Sequence, residues 1–210
     1  MVEIHRRGLM LVLSSPSGAG KTTIASELRK REEHLMISTS VTTRIPRPGE
    51  QEGKDYFFVN QQTFETMLEN EAFLEYAKVF NHYYGTPKKF VFNTLKQGKD
   101  IIFDIDWQGT QQLAQFARDD LVSVFILPPS VEALQERLLK RGQDSHDVMN
   151  LRMEQAANEI SHWPEYDYVI INEDLEHSIL QVQKVLHAER LRRTRQLGLI
   201  DFVKSMREEI

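Results

Sequence analysis

The sequence predicts an α/β fold in which a parallel sheet is flanked by helices. Short apolar segments alternate along the chain with longer segments of helical periodicity, which is the pattern of βαβ units. The predicted strands are residues 8–14, 99–106, 121–127 and 167–172, and the predicted helices are residues 21–31, 109–117, 130–140, 148–162 and 175–192. Residues 35–92 interrupt this alternation with short runs, prolines and glycines, and we interpret them as a small mixed α+β insertion.

Composition is typical of a soluble globular protein, because 40% of the residues are hydrophobic and 27% are charged. A formal net charge of −5 argues against nucleic acid and anionic membranes as partners. The chain has no cysteine, which excludes a disulfide framework, and its seven histidines show no zinc-site spacing. Its apolar runs are far shorter than a membrane span, and its start lacks the apolar region of a secretory signal. We therefore expect a cytoplasmic protein.

The first predicted strand leads into a loop that nearly matches the phosphate-binding pattern G-x-x-x-x-G-K-[ST]. Gly20, Lys21 and Thr22 fit this pattern, whereas Ser15 stands where the first glycine is expected. The flanks supply the required context, since a continuous apolar strand precedes the loop and a periodic helix follows it. A chance turn rich in glycine and serine would explain neither these flanks nor the run G-K-T-T. The sequence therefore predicts a phosphate site here.

The chemistry of this loop depends mainly on its backbone. Successive N–H groups at a helix N-terminus converge on an anion, and Gly18 and Gly20 allow close approach and positive φ. Lys21 brings a positive charge to the β- and γ-phosphates, and the Thr22 hydroxyl can ligate magnesium. Ser15 restricts the first turn but keeps its N–H group. The predicted nucleotide-binding residues of the loop are Ser15, Pro16, Ser17, Gly18, Ala19, Gly20, Lys21, Thr22 and Thr23.

Two arginines of the insertion form a second candidate phosphate site. Arg44 and Arg47 lie in "STSVTTRIPRPGE", where Pro46 and Pro48 fix their own φ and favour extended neighbours. Two guanidinium groups on a stiff loop suit a doubly charged phosphate monoester. Solvated surface arginines are common, but they would explain neither the prolines nor the pairing.

Several segments together resemble guanylate kinase, the family that phosphorylates GMP with ATP. They are "SGAGKTT", "TTRIPRPGEQEGKDYFFV", "FLEYAKVFNHYYGTP", "IIFDIDWQG" and "LPPSVEALQERLLKRG", and their order and spacing match the family from about residue 8 to residue 190. The resemblance implies a P-loop NTPase core at 1–34 and 93–210, a GMP-binding insertion at 35–92 and a helical lid at about 137–152. It also implies ATP as co-substrate, GMP and also dGMP as acceptors, and Mg²⁺ as cofactor. It does not indicate an oligomeric state.

The resemblance assigns side chains of the insertion to the base and the phosphate of GMP. Ser40, Glu75 and Thr86 match positions that read guanine: the carboxylate accepts from N1–H and the 2-amino group, and the hydroxyls donate to O6. The positions that hold the GMP phosphate are matched by Arg44, Arg47, Tyr56 and Tyr84. Strand packing accounts for part of each tyrosine ring, so the functional candidates are the two phenol hydroxyls.

Two aspartates follow one another closely in "IIFDIDWQG". Asp104 and Asp106 alternate with apolar residues and so share one face of the predicted strand. The carboxyl ends of parallel strands border the ligand crevice, where either aspartate can serve magnesium through water, together with Thr22, or orient GMP. A strand-end aspartate is also often a helix cap. The sequence does not decide which aspartate has which role.

The third element is a lid helix that begins after Ser130 and ends before Gly142. Arg137 and Arg141 lie four residues apart on one helix face, an arrangement that costs about 0.2–0.5 kcal/mol unless an anion lies between them. Water and Glu136 could also solvate either arginine. Together with Arg152 they match the lid arginines around the transferring phosphoryl group, and Asn172 matches an adenine contact. The residues assigned to catalysis are Lys21, Arg44, Arg137, Arg141 and Arg152.

Two other functions remain open at this stage. One is a non-catalytic guanylate-kinase-like module that binds proteins, against which the intact G-A-G-K-T and the arginine set argue. The other is a P-loop kinase for another phosphorylated small molecule. The combination of Ser40, Glu75 and Thr86 favours guanine over that alternative.

Overall fold

A computed structural model of the chain describes residues 3–79, 81–141 and 146–209, without the side chains of 79, 140, 141 and 146–151. The strands are β1 (His5–Arg6), β2 (Met10–Ser14), β3 (Leu35–Ile37), β4 (Val41–Thr42), β5 (Phe57–Phe58), β6 (Phe73–Val79), β7 (His82–Pro87), β8 (Asp100–Asp104), β9 (Leu121–Leu127), β10 (Tyr168–Ile171) and β11 (Gln196–Leu197). The α-helices are α1 (Lys21–Arg31), α2 (Gln61–Glu69), α3 (Lys88–Lys96), α4 (Trp107–Ala117), α5 (Val131–Arg141), α6 (His146–Ser161), α7 (Leu175–Arg190) and α8 (Leu199–Glu208).

The central sheet has five strands in the order β10-β9-β2-β8-β3, and every pairing in it is parallel. Its middle strand, β2, is buried along its whole length. This burial on both faces explains why the strand has a continuous apolar sequence. The predicted parallel sheet with flanking helices is confirmed.

Helices cover both faces of this sheet. On one face, Leu28 of α1 and Val182 of α7 pack in one cluster with Leu11 of β2. On the other face, Leu95 of α3 and Leu113 of α4 lie in a second cluster of buried apolar residues. All five side chains have no solvent exposure. Because both faces are sealed, ligands reach the sheet at the ends of its strands.

Most predicted boundaries agree with the structure to within two residues, and α1 and β9 match their predicted ranges. The strand predicted over 99–106 is shorter, because β8 ends at Asp104. Asp106 is the N-cap of α4, with its side chain accepting from the Gly109 N–H at 3.0 Å. A capping residue has non-helical backbone and a side chain bonded to the first turn, so Asp106 cannot continue the strand.

The insertion contains a second sheet, with strand order β5-β4-β7-β6, and helix α2. Its core consists of Val41, Phe64 and Phe73. Residues 35–37, which the sequence placed in the insertion, form β3 and pair with β8 in the central sheet. The division of the chain at 34/35 and 92/93 stays a prediction.

Helices α5 and α6, which form the predicted lid region, pack through Leu134, Leu138 and Ala156. The predicted helix stop, Gly142, lies outside the described residues. Near residue 200, β11 pairs with β1, and α8 has no buried residue and lies on the surface. None of the described helices is long and apolar enough to cross a membrane.

Candidate active site

The phosphate-binding loop lies between the carboxyl end of β2 and the start of α1. Gly18 and Gly20 have φ of 89° and 101°, a backbone conformation that residues other than glycine rarely adopt. The predicted positive φ at these two glycines is therefore confirmed. Gly20 immediately precedes α1, and a Cβ added there would lie 2.6 Å from Asn172 Nδ2. Glycine at position 20 is therefore required both by the backbone conformation and by the close approach of Asn172.

Lys21, Thr22 and Asp104 meet at the mouth of this loop. The Lys21 ammonium group lies 2.8 Å from Asp104 Oδ1 and donates to the Ile105 carbonyl at 3.1 Å. The Thr22 hydroxyl donates to Asp104 Oδ2 at 2.8 Å. One carboxylate thus holds the two loop side chains that were predicted to serve phosphate and magnesium.

This arrangement fits Mg²⁺, which prefers oxygen ligands and binds through one or two carboxylates completed by phosphates and water. The Thr22 hydroxyl and the Asp104 carboxylate are adjacent and solvent-exposed. Among the described residues, no group of three or more His, Cys, Asp or Glu side chains could hold a metal by itself. Asp106 differs from Asp104, since one of its oxygens caps α4. The structure therefore separates two aspartates that the sequence left equivalent.

Arg137 of α5 reaches the same place. It lines an open cavity of about 590 Å³ together with the loop and Asp104. Its Nη2 donates to the Asn172 carbonyl at 3.1 Å, while its buried Nη1 has no hydrogen-bond partner in the described part of the chain. A buried donor without a partner is costly, and a phosphate oxygen in the cavity would satisfy it. The Arg141 side chain lies outside the described residues, and Arg152 is half-buried.

Asn172 is buried and holds the phosphate loop through a side-chain hydrogen bond. Its Nδ2 donates to the Ala19 carbonyl at 2.7 Å, and its Oδ1 accepts from the Ser178 hydroxyl at 3.0 Å. Both ends of the amide are therefore engaged within the protein. The adenine contact that the resemblance assigned to Asn172 stays a prediction.

A further carboxylate lies on the loop. The Ser17 N–H donates to Glu159 Oε2 at 3.0 Å, and Glu159 lines the same cavity as Lys21 and Arg137. Burial raises the pKa of Glu159 above its ordinary value, while the Ser17 hydrogen bond and the Lys21 charge act in the opposite direction. The Glu159 carboxylate thus accepts a hydrogen bond from a backbone N–H that the sequence assigned to phosphate.

The predicted base-reading residues Glu75 and Thr86 lie opposite each other on β6 and β7. Both are buried, and the Thr86 hydroxyl donates to Glu75 Oε1 at 2.5 Å. Burial is the main cause that raises the pKa of Glu75, the negative charge of Asp106 adds to the rise, and the Thr86 hydrogen bond opposes it. Ser40 is half-buried and immediately precedes β4, where its carbonyl accepts from the Phe57 N–H at 2.9 Å.

The side chains assigned to the GMP phosphate gather around Arg44. Its guanidinium lies 5.3 Å from the Tyr56 ring centroid, and the Tyr56 and Tyr84 rings are 5.9 Å apart. Arg44 is buried and donates twice to Glu50, at 2.7 and 3.0 Å. Arg47 is exposed, and its backbone N–H also donates to Glu50, at 2.7 Å. Glu50 therefore holds Arg44 and the following loop in place.

Comparison with known proteins agrees with the family that the motifs resemble. The family model described as guanylate kinase matches residues 7–189. The chain belongs to the guanylate kinase family.

Relatives within the guanylate kinase family match nearly the whole chain. A guanylate kinase of Paramagnetospirillum magneticum is 59% identical over 204 residues, covering 97% of this chain and 95% of that protein. One of Nitrobacter winogradskyi is 55% identical, covering 99% of this chain and 94% of that protein. The crystal structure of guanylate kinase from Anaplasma phagocytophilum has a TM-score of 0.76 and 38% identity, with 97% of each chain covered.

Two carboxylates of this guanylate kinase family member were not predicted from the sequence. Glu50 stands in the quoted segment "TTRIPRPGEQEGKDYFFV", close to both arginines, so its spacing offered a signal. Glu159 lies 142 residues from its partner Ser17, on a helix with two glutamates that no sequence pattern distinguishes. Only the packing of α6 against the loop reveals its position.

Proposed function

We infer that this member of the guanylate kinase family transfers the terminal phosphoryl group of ATP to GMP and so forms ADP and GDP. The protein is a nucleoside monophosphate kinase with ATP as co-substrate. The observation that carries the choice of GMP is the buried pair Glu75–Thr86, joined by a 2.5 Å hydrogen bond. A buried carboxylate that faces a ligand selects a base edge with donors, and guanine presents two.

On the ATP side, the loop backbone would bind the phosphates and Lys21 would leave Asp104 to contact the β- and γ-phosphates. Thr22 and Asp104 would hold Mg²⁺, which when bound neutralises negative charge on the phosphate oxygens. Their present contact of 2.8 Å supports this role, since both oxygens already face the loop mouth. The unpartnered Nη1 of Arg137 supports the presence of an anion in the same cavity.

On the GMP side, Glu75 would accept from guanine N1–H and the 2-amino group. A hydroxyl has one proton, and Thr86 donates it to Glu75. Thr86 can donate to guanine O6 only if it gives up that bond, so Ser40 is the better candidate for the O6 donor. The side chains proposed for the phosphate are Arg44, Arg47, Tyr56 and Tyr84. None of the assigned groups reads the 2′-hydroxyl, which supports use of dGMP.

Transfer itself needs no covalent intermediate with the protein. Phosphoryl transfer proceeds through a loose transition state, so alignment of the two nucleotides and neutralisation of charge supply most of the acceleration. Arg137, Arg141 and Arg152, carried by α5 and α6, would surround the transferring group and exclude water, which would otherwise hydrolyse ATP. We place this reaction in the cytoplasm, in keeping with the composition of the chain.

An assay of ADP release with ATP and a panel of GMP, dGMP, AMP, CMP and UMP tests this function. A site with buried polar groups rejects a base that leaves them unpaired, by as much as about 10⁴-fold. We expect kcat/KM for GMP to exceed that for AMP by about this factor, with dGMP closer to GMP. Equal use of several monophosphates would indicate a kinase for another acceptor, and binding without transfer would indicate a non-catalytic module.

A further inference from the structure

Glu159 occupies a position that a nucleotide kinase would need for phosphate. Its Oε2 accepts from the Ser17 N–H at 3.0 Å, and its side chain shares a cavity with Lys21 and Arg137. The Ser17 N–H belongs to the run of backbone donors that makes the loop an anion site. A carboxylate and a phosphate oxygen are both anions that seek this donor, and one N–H cannot serve both at full strength.

Helix α6, which carries Glu159, packs against α5, the other helix of the predicted lid. Ala156 of α6 lies in one buried cluster with Leu134 and Leu138 of α5. A Cβ added at Gly18 would lie 3.2 Å from Leu138 and 3.3 Å from Leu134, so the loop backbone lies directly against α5. The phosphate loop, α5 and α6 are therefore in contact at two places, and a change at Ser17 reaches the helices that carry Arg137 and Arg152.

We propose that Glu159 is an internal competitor for the phosphate loop: its carboxylate holds the Ser17 N–H in the nucleotide-free protein, and the phosphates of ATP must displace it. The displacement releases α6 from the loop and so couples ATP binding to repositioning of the lid helices. This inference rests on the proposed binding of ATP at the loop. The raised pKa of Glu159 agrees with a carboxylate held in a partly desolvated place.

The competition has a measurable consequence. When a ligand binds only the molecules whose site is vacant, its apparent Kd exceeds the intrinsic value by the reciprocal of the vacant fraction. A neutral amide is a weaker acceptor than a carboxylate and does not repel phosphate. Glu159→Gln should therefore tighten binding, and Glu159→Ala should tighten it as well. An about fivefold decrease in Kd would correspond to a loop that is vacant in about a fifth of the wild-type molecules.

Calorimetric titration of the full chain with tripolyphosphate, and separately with ATP and Mg²⁺, measures this Kd. Glu154→Gln is the matched control, since Glu154 is an exposed glutamate on the same helix. We expect Glu159→Gln and Glu159→Ala to bind both probes about fivefold more tightly than Glu154→Gln does. A change of less than twofold, or weaker binding, would overturn the proposal and make Glu159 a support of the loop.

Lys21→Met separates this proposal from the proposed function. If Lys21→Met leaves tripolyphosphate binding unchanged, the phosphates do not bind at the loop and the ATP assignment fails, whatever Glu159 does. If Lys21→Met weakens binding while Glu159→Gln does not tighten it, the internal competition alone is wrong.

The release of α6 has its own readout in Trp163. This residue begins the 3₁₀ turn directly after α6 and is 49% exposed. We expect ATP to change its fluorescence in the wild type, and Glu159→Gln without nucleotide to show most of that change. Trp163→Phe identifies the signal, because the chain has only one other tryptophan. A Glu159→Gln spectrum identical to that of the nucleotide-free wild type would contradict the coupling to α6.

Discussion

The phosphate loop and the proposed guanine pocket are built from different parts of the chain's chemistry, backbone in one and side chains in the other. In the loop, backbone N–H groups and two glycines with positive φ form the site, and Ser15 is accepted in place of a glycine. In the proposed pocket, the carboxylate of Glu75 would accept from the base, and Thr86 on the neighbouring strand holds that carboxylate; both side chains are buried. The loop therefore accepts a side chain at position 15, where only the N–H group is needed, whereas the proposed pocket has no substitute for a lost carboxylate.

The comparison also concerns charge. Lys21 is the one loop side chain expected to carry a charge to the phosphates, and its partner Asp104 is exposed. Burial penalises the charged form of Glu75, and the hydrogen bond from Thr86 stabilises it. Removal of the Lys21 charge should therefore lower the rate of phosphoryl transfer. Removal of the Glu75 charge should instead lower the preference for GMP over other monophosphates.

The largest effect is expected for Lys21→Met. In the proposed reaction Lys21 neutralises charge that develops on the transferring group, and groups with this role contribute about 10³-fold or more to turnover. We expect kcat to fall by at least this factor in steady-state assays, with the circular dichroism spectrum and GMP affinity retained. A folded variant with near-normal kcat would remove Lys21 from the mechanism.

Glu75→Ala should have the next largest effect, on the acceptor alone. Hydrogen bonds to charged groups contribute about 1.5–3 kcal/mol each, so the loss of two lowers kcat/KM for GMP by about 10²-fold or more. The KM for ATP should stay within about twofold, since the two nucleotides occupy separate sites. Kinetics with both substrates varied test this; an altered ATP KM with normal GMP use would mean that the pocket does not read guanine.

The pH dependence of GMP binding tests the proposed role of the Glu75 carboxylate. Because burial raises the pKa of Glu75, its carboxylate takes up a proton at a higher pH than an exposed glutamate, whose pKa is about 4.3. The protonated acid no longer accepts from both guanine donors, so the GMP KM should rise as pH falls, by about tenfold per unit once below that pKa. Glu75→Gln provides the control, and superimposable KM profiles for the variant and the wild type would contradict the prediction.

Ser15→Gly should have the smallest effect. Ser15 does not have a positive φ, and its hydroxyl already donates its proton to the Pro16 carbonyl at 2.9 Å. We expect activity within about twofold of the wild type and a loss of about 0.5 kcal/mol in the free energy of unfolding, because glycine adds freedom to the unfolded chain. Ser15→Ala separates loss of the hydroxyl from added freedom. Abolished ATP binding in either variant would give the hydroxyl a role in the loop.

Several parts of this structure could be predicted from local patterns. The continuous apolar run before the loop identified β2, and the helical periodicity after the loop identified α1, which buries Ile24, Ala25 and Leu28. The extension of β8 to residue 106 was wrong, because alternation alone cannot distinguish a strand end from a helix cap. That distinction depends on where α4 begins, since the Gly109 N–H three residues further on bonds to Asp106 only once the first turn of the helix has formed.

Local sequence patterns were enough to predict the loop, its helix and the sheet type, because each depends on residues that are neighbours along the chain. Tertiary structure decided which aspartate joins Lys21 and Thr22, and it brought Glu159 to Ser17 across 142 residues of sequence. Such contacts depend on how separate elements pack, and a carboxylate that meets a backbone N–H leaves no periodic pattern around it. The physical reason is that local geometry follows from backbone sterics and hydrophobic spacing, whereas a long-range polar contact exists only once the core has formed.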